Sequence, residues 1–105
     1  MRSEVTVEVQ NELGLHARPA AAFVKAAAHF AAAVQVYNLT TGKGPAPARS
    51  ILAVLALGVR QGHQVRLSAE GEQAEQALAA LADLLLEDAE EGEPLRDKAD
   101  EGTGR

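Results

Sequence analysis

Apolar and polar residues alternate along three short segments, and each alternation predicts a half-buried β-strand. The segments are residues 4–9, 33–39 and 64–70. Apolar residues stand two positions apart in each: Val5, Val7 and Val9; Val34 and Val36; and Val65, Leu67 and Ala69. Residues 40–44 form a turn-like stretch, and residues 45–49 contain two prolines. Because proline cannot donate to a β-ladder, residues 45–49 predict at most a ragged edge strand.

Apolar residues recur at helical spacing in three other segments, which predicts three helices. The first covers residues 17–31, with Pro19 in the first turn, where its missing N–H costs nothing. The second is short, opens at Ser50 and ends near Gly58, and the third runs from residue 72 to about residue 89. The predicted apolar stripe of the first helix is Ala20, Phe23, Val24, Ala27 and Ala31.

The predicted element order is β-α-β-β-α-β-α, which belongs to the α+β class. This order favours an open-faced sandwich, a four-stranded antiparallel sheet with three helices on one face. We assign residues 1–88 to this single domain. Residues 89–105 are charged and contain proline and glycine, so we expect an acidic, disordered C-terminal extension.

Composition narrows the class of protein. The chain has 105 residues, of which 47% are hydrophobic, and 22 of the residues are alanine. It contains no run of 18 apolar residues, no basic-then-apolar start and no cysteine. These absences argue against membrane insertion, a secretory signal, disulfides and thiolate metal sites, so we expect a cytoplasmic protein.

The negative charge is concentrated at the C-terminus. Residues 1–86 contain seven acidic and seven basic side chains, whereas residues 87–105 contain eight acidic and three basic ones, which accounts for the net charge of −5. Because the body has no basic excess, nucleic acid is not an expected partner.

The candidate chemistry lies in residues 14–19, where His16 stands between a loop and the first helix. The first N–H groups of a helix have no internal partners and form an anion site. Arg18 can add a cation with bidentate geometry for phosphate oxygens, and Gly14 permits a tight backbone approach. The segment thus predicts a histidine that can accept a phosphoryl group. Local physics alone leaves the alternative that His16 is a helix cap and Arg18 is merely solvated.

The chain from residue 4 to about residue 87 resembles the HPr-like family, the histidine-containing phosphocarriers of the phosphoenolpyruvate-dependent sugar phosphotransferase system. Residues 14–20 (GLHARPA) look like the phosphorylation site of that family. Residues 49–52 (RSIL) with Leu57-Gly58 look like its second motif, and residues 67–71 (LSAEG) resemble its last strand and turn. Three motifs in the right order are far more specific than the first alone.

The resemblance implies a phosphoryl carrier and not an enzyme with its own turnover. His16 would accept the phosphoryl group on Nδ1 from phosphorylated enzyme I and pass it to sugar-specific enzyme II A domains. Arg18 and the backbone amides of Ala17 and Arg18 would assist. No cofactor is implied, and the three scattered histidines, His16, His29 and His63, do not predict a metal site.

Two further features concern partners. Ser50 is an ordinary helix N-cap residue, but in Gram-positive members of the family the matching serine is a regulatory phosphorylation site. A Ser50 kinase or phosphorylase and transcriptional regulators are therefore possible partners. If Leu52 and Leu55 are exposed, they form an apolar docking patch with Ala17 and Ala21, as the resemblance also implies. A neutral body with one transient docking face favours a monomer.

Three alternatives remain at this point. The first is a nitrogen-branch paralogue with the same histidine chemistry, and the second is a regulatory interaction domain controlled through Ser50. The third is an autonomous phosphatase or kinase, for which no glycine-rich nucleotide loop and no carboxylate cluster near His16 is visible. The chain departs from the family pattern in the longer segment 40–49, the acidic extension and the alanine-rich helices.

Overall fold

The computed structural model describes residues 2–87, which fold into four strands and three helices. In chain order these are β1 (Arg2–Glu8), α1 (Ala17–Ala27), β2 (Ala33–Asn38), β3 (Lys43–Pro47), α2 (Ile51–Ala56), β4 (Gln64–Glu70) and α3 (Ala74–Leu86). Residue 1 and the extension predicted for residues 89–105 lie outside the described residues.

The four strands form one antiparallel sheet in the order β1-β4-β2-β3. Strand β4 is central, pairing with β1 from Glu70 opposite Arg2 to Gln64 opposite Glu8. Because β1 ends where β4 begins, the loop after β1 and the loop before β4 lie at the same end of the sheet. This neighbourhood contains His16.

One face of the sheet is buried beneath the helices. Along β4, Val65, Leu67 and Ala69 are buried, while the residues between them are partly exposed. Helix α3 packs on β1, β4 and β2, and α1 packs on α2 and α3. The predicted α+β open-faced sandwich is confirmed, and the strand predicted for residues 64–70 has the predicted bounds.

The proline-containing edge strand β3 pairs with β2 irregularly, as the sequence predicts. Pro47 lies opposite Gln35 and Ala46 opposite Val36, but the register shifts before Lys43 opposite Asn38. Its prolines have no N–H to give to the ladder, which restricts them to an edge position.

The prediction that α1 reaches residue 31 is wrong, because the helix ends at Ala27 and Ala31 is exposed. Tertiary hydrogen bonds take over the backbone beyond that point. Arg49 donates to the carbonyl oxygen of Phe30 at 2.7 Å, and the Ala31 N–H donates to the Gln73 side chain at 2.8 Å. Alanine favours helix, so these partners and not local propensity redirect the chain towards β2.

Helix α3 is also shorter than the predicted 72–89, since its first helical residue is Ala74 and its last is Leu86. Gln73 is its N-cap residue, and the Gln73 N–H donates to the carbonyl oxygen of Ala31 at 3.1 Å. Gln73 therefore forms hydrogen bonds with Ala31 beyond the end of α1 and is also the residue at which α3 begins. Residues 88 and 89 lie beyond the described part of the chain.

Asn38, at the end of β2, is a fully buried polar residue. Both polar atoms of its side-chain amide form hydrogen bonds. Its Nδ2 donates to the Leu57 carbonyl oxygen at 3.1 Å and to His63 Nδ1 at 3.2 Å. Its Oδ1 accepts the N–H groups of Thr40 and Thr41 at 3.1 and 3.2 Å. Asn38 thus joins the end of α2 to the loop before β4. His63 is half-buried, and its Nδ1 accepts one of these hydrogen bonds.

Candidate functional site

His16 is the N-cap residue of α1, with extended backbone angles of φ −82° and ψ −171°. Its carbonyl oxygen accepts the Ala20 N–H at 2.7 Å, and its own N–H donates to Leu13 at 3.2 Å. The side chain makes no cap hydrogen bond and is exposed. The cap interpretation of the imidazole is therefore wrong: the backbone of His16 begins the helix, and the ring is left accessible.

The residues before His16 are held against the segment that follows α2. Gly14 has a φ of +59°, and a Cβ placed there would lie 2.3 Å from the Val59 carbonyl oxygen. The next residue, Leu15, is buried and donates its N–H to the same oxygen at 3.1 Å. Only glycine allows both this conformation and this approach. His16 is therefore exposed but carried on a fixed backbone.

Free backbone donors stand beside His16 at the start of α1. The N–H groups of Ala17 and Arg18 have no acceptor within residues 2–87, and Pro19 has no N–H. Together with the partial positive charge of the helix terminus, they can receive an anion. An anionic group attached to the His16 ring would lie close to these two N–H groups.

Arg18 is exposed, and its guanidinium has no ion pair or hydrogen bond in the described part of the chain. The ion pair that does occur there joins Arg2 to Glu4 near the start of β1. Arg18 is therefore available to bind oxygens of a phosphoryl group bidentately. The structure places it two residues after His16, in the first turn of α1.

An open surface depression of about 460 Å³ adjoins His16, and sequence reasoning missed its other walls. It is lined by Glu12, Leu13, His16, Arg60 and Gln61. Residues 60 and 61 carry no motif that would mark them from the sequence alone. Their place beside His16 follows from the antiparallel pairing of β1 with β4, which puts the loops 9–15 and 58–63 side by side.

The four residues suggested for docking all lie on the surface. Ala17 and Ala21 are exposed on α1, while Leu52 and Leu55 on α2 are 77% and 37% exposed. The two helices pack against each other. We call these four residues the apolar patch.

Burial separates the two faces of α2. Val54 and Leu57 are buried, whereas Ile51 is 36% exposed. The C-terminal end of α2 leads through Gly58 to Val59, whose carbonyl oxygen holds Leu15 beside His16. The segment that follows α2 is thereby held beside the loop that carries His16.

Ser50 is the N-cap residue of α2, as predicted. Its Oγ accepts the Ala53 N–H at 3.2 Å, and the residue is half-buried. The hydroxyl already has a structural role, and regulation through Ser50 stays a prediction.

The other histidines do not join His16. His29 Nδ1 donates to the Lys25 carbonyl oxygen at 3.0 Å at the far end of α1, and His63 contacts Asn38. Among residues 2–87, no three side chains of the types that bind metals converge. Over the same residues, no helix has the length and apolar character needed to cross a bilayer.

Comparison with known proteins identifies the family. Residues 3–87 match the family described as "PTS HPr component phosphorylation site", where PTS denotes the phosphotransferase system. The chain belongs to the HPr family. That family consists of phosphocarriers, and the match covers every helix and nearly all of the sheet described above.

Individual relatives agree with this membership. The chain is 51% identical over 82 residues to the phosphocarrier protein HPr of Haloferax volcanii, covering 78% of this chain and 91% of the relative. The HPr of Bacillus anthracis has a similar crystal structure, with a TM-score of 0.75 and 36% identity over 80% of this chain and 96% of the other.

A second group of relatives is longer. The chain is 48% identical over 85 residues to a multiphosphoryl transfer protein of Salmonella typhimurium, a match that covers 80% of this chain. It spans only 22% of the length of that relative. HPr sequences thus occur both as small proteins and as parts of larger ones.

Proposed function

We propose that this chain carries a phosphoryl group on His16 from phosphorylated enzyme I to sugar-specific enzyme II A domains. The observation that carries the proposal is the exposed, unbonded imidazole of His16 beside two free N–H groups and the free guanidinium of Arg18. Membership of the HPr family supports the same chemistry.

The transfer needs little covalent machinery from the chain. The Nδ1 lone pair of His16 attacks phosphorus, and the bond between phosphorus and the donor breaks as the new P–N bond forms. The phosphoryl oxygens then carry negative charge, which the amides of Ala17 and Arg18 and the Arg18 guanidinium stabilise. A fixed backbone at residues 14–16 keeps the ring in place without reorganisation.

A carrier must dock on donor and acceptor in turn, and the apolar patch serves that purpose. Leu52 is the most exposed large apolar side chain among the described residues. A small apolar patch next to charged groups favours transient complexes, which exchange partners quickly. The same requirement favours a monomer whose docking face is not occupied by a second copy, and a relay that begins with enzyme I and phosphoenolpyruvate favours the cytoplasm.

The experiment measures both halves of the relay. The chain is phosphorylated with phosphoenolpyruvate and either the sugar-branch or the nitrogen-branch enzyme I, and is then mixed with a purified enzyme II A domain. Loss of the phosphoryl group from this chain and its appearance on the enzyme II A domain support the proposal. Acceptance only from the nitrogen-branch enzyme I assigns the chain to that paralogous branch.

The regulatory alternative makes a different prediction. A domain that acts through Ser50 would accept phosphate from an ATP-dependent kinase and would bind its regulator even with His16→Ala. No separate observation on these residues favours that alternative, because the N-cap role accounts for the Ser50 hydroxyl.

A further inference from the structure

The depression beside His16 contains a cation that the proposed relay does not use. Of its five lining residues, Glu12 is acidic, Arg60 is basic, and Leu13, Gln61 and His16 complete the wall. Arg18 is not among them. A phosphoryl group on His16 that faced this depression would meet Arg60 as its cation and Glu12 as its anion.

The backbone of Arg60 is held in direct contact with the loop that carries His16. A Cβ at Gly14 would lie 2.8 Å from the Arg60 Cα, which measures how closely the two segments pack. The Arg60 N–H donates to His63 Nδ1 at 3.2 Å, and the Arg60 carbonyl oxygen accepts the His63 N–H at 3.0 Å. His63 is in turn held by the buried Asn38. The position of Arg60 relative to His16 is therefore built into the fold.

The side chain of Arg60 has no other role on the described surface. It is exposed, and its guanidinium forms no ion pair or hydrogen bond with another residue of the 2–87 segment. Glu12 lies in the same depression but within no ion-pair distance of it. The guanidinium is thus free to bind an anion that arrives at His16.

We propose that Arg60 is a second phosphoryl-binding side chain, which approaches the group on His16 from the depression that the two residues line. The inference rests on the proposed function, since it requires phosphohistidine at residue 16. Arg60 offsets the repulsion that the Glu12 carboxylate exerts on a doubly charged phosphoryl group. It acts on the charge of the phosphoryl group and leaves the formation of the P–N bond to His16.

The test is a ³¹P NMR titration of the chain after phosphorylation by enzyme I and phosphoenolpyruvate. A phosphoryl group has a second pKa near 6, and a neighbouring cation lowers it by favouring the dianion. We expect Arg60→Gln to raise this pKa by about 0.5, the effect of losing one bound charge about 4 Å away in water at physiological ionic strength. Arg60→Lys should restore most of the difference.

Two variants serve as matched controls. Glu12→Gln should lower the phosphoryl pKa, because it removes an anion from the same depression. Lys25→Gln removes a positive charge about 13 Å along α1 from His16 and should leave the phosphoryl pKa unchanged. Opposite signs for Arg60→Gln and Glu12→Gln distinguish an electrostatic role from a general disturbance of the loop.

The outcomes separate this inference from the proposed function. If phosphohistidine forms and Arg60→Gln titrates like the unsubstituted chain, Arg60 is only a solvated side chain and the inference is overturned. The same holds if Glu12→Gln and Arg60→Gln move the pKa in one direction. If the unsubstituted chain forms no phosphohistidine with either branch's enzyme I, the proposed function fails, and the Arg60 inference fails with it.

Discussion

Gly14 and Gly58 have the same backbone conformation, with a φ of +59° at each, but different surroundings. A Cβ at Gly14 would lie 2.3 Å from the Val59 carbonyl oxygen and 2.8 Å from the Arg60 Cα. A Cβ at Gly58 would have nothing within 4 Å. The two alanine variants therefore separate the cost of a left-handed residue from the cost of losing the close approach beside His16.

The magnitudes follow from these contacts. A left-handed alanine costs about 1 kcal/mol at either position, after allowance for the lower chain entropy of the unfolded variant. At Gly14 the backbone must also move apart, which adds about 1–3 kcal/mol for overpacking. The movement also weakens the hydrogen bond from Leu15 to Val59, worth about 1 kcal/mol. We expect Gly14→Ala to lower the free energy of unfolding by about 3–5 kcal/mol and Gly58→Ala by about 1 kcal/mol.

Urea unfolding followed by circular dichroism measures both values. Phosphorylation of the folded fraction gives a second readout, because displacement of residue 14 moves the backbone of His16 and should slow phosphoryl acceptance. Gly58→Ala should accept the phosphoryl group at nearly the unsubstituted rate. If the two variants differ by less than about 1 kcal/mol and react at the same rate, then the close approach at Gly14 does not position His16.

Three further substitutions test the framework and the docking face. Asn38→Ala should lower the unfolding free energy by about 2–4 kcal/mol, because it leaves buried partners unsatisfied; a loss below about 1 kcal/mol would contradict the buried network. Ser50→Ala should cost about 1 kcal/mol through loss of the cap, again by urea unfolding, and a neutral result would remove that role. Leu52→Ser should change stability by less than about 0.5 kcal/mol but raise the KM for enzyme I several-fold, and an unchanged KM would exclude Leu52 from docking.

Periodicity predicted the elements well where burial on one face decides them. Strand β4 has the predicted bounds because its alternation is continuous and both of its edges are paired. The end of α1 was predicted four residues too late, since an alanine-rich sequence contains no local stop signal there. Beyond that end, the backbone of Phe30 and Ala31 forms hydrogen bonds with the side chains of Arg49 and Gln73. These two residues are distant in sequence and come close only in the folded protein.

Some residues of the candidate site could likewise be predicted from a local motif, and others could not. His16 and Arg18 lie within three residues of each other at a helix start, so a local motif was sufficient to find them. Glu12 also belongs to that local segment, but its position beside Arg60 depends on the pairing of β1 with β4. A single sequence shows each loop separately, and the contact between them arises from the topology of the sheet.

The most direct test of the central claim is the mass of the chain after incubation with enzyme I and phosphoenolpyruvate. We expect a gain of one phosphoryl group that is lost in acid, as is typical of a P–N bond, and that is absent in His16→Ala. His29→Ala is the matched control and should gain the group normally. A gain that survives acid, or that persists in His16→Ala, would contradict a carrier that works through His16.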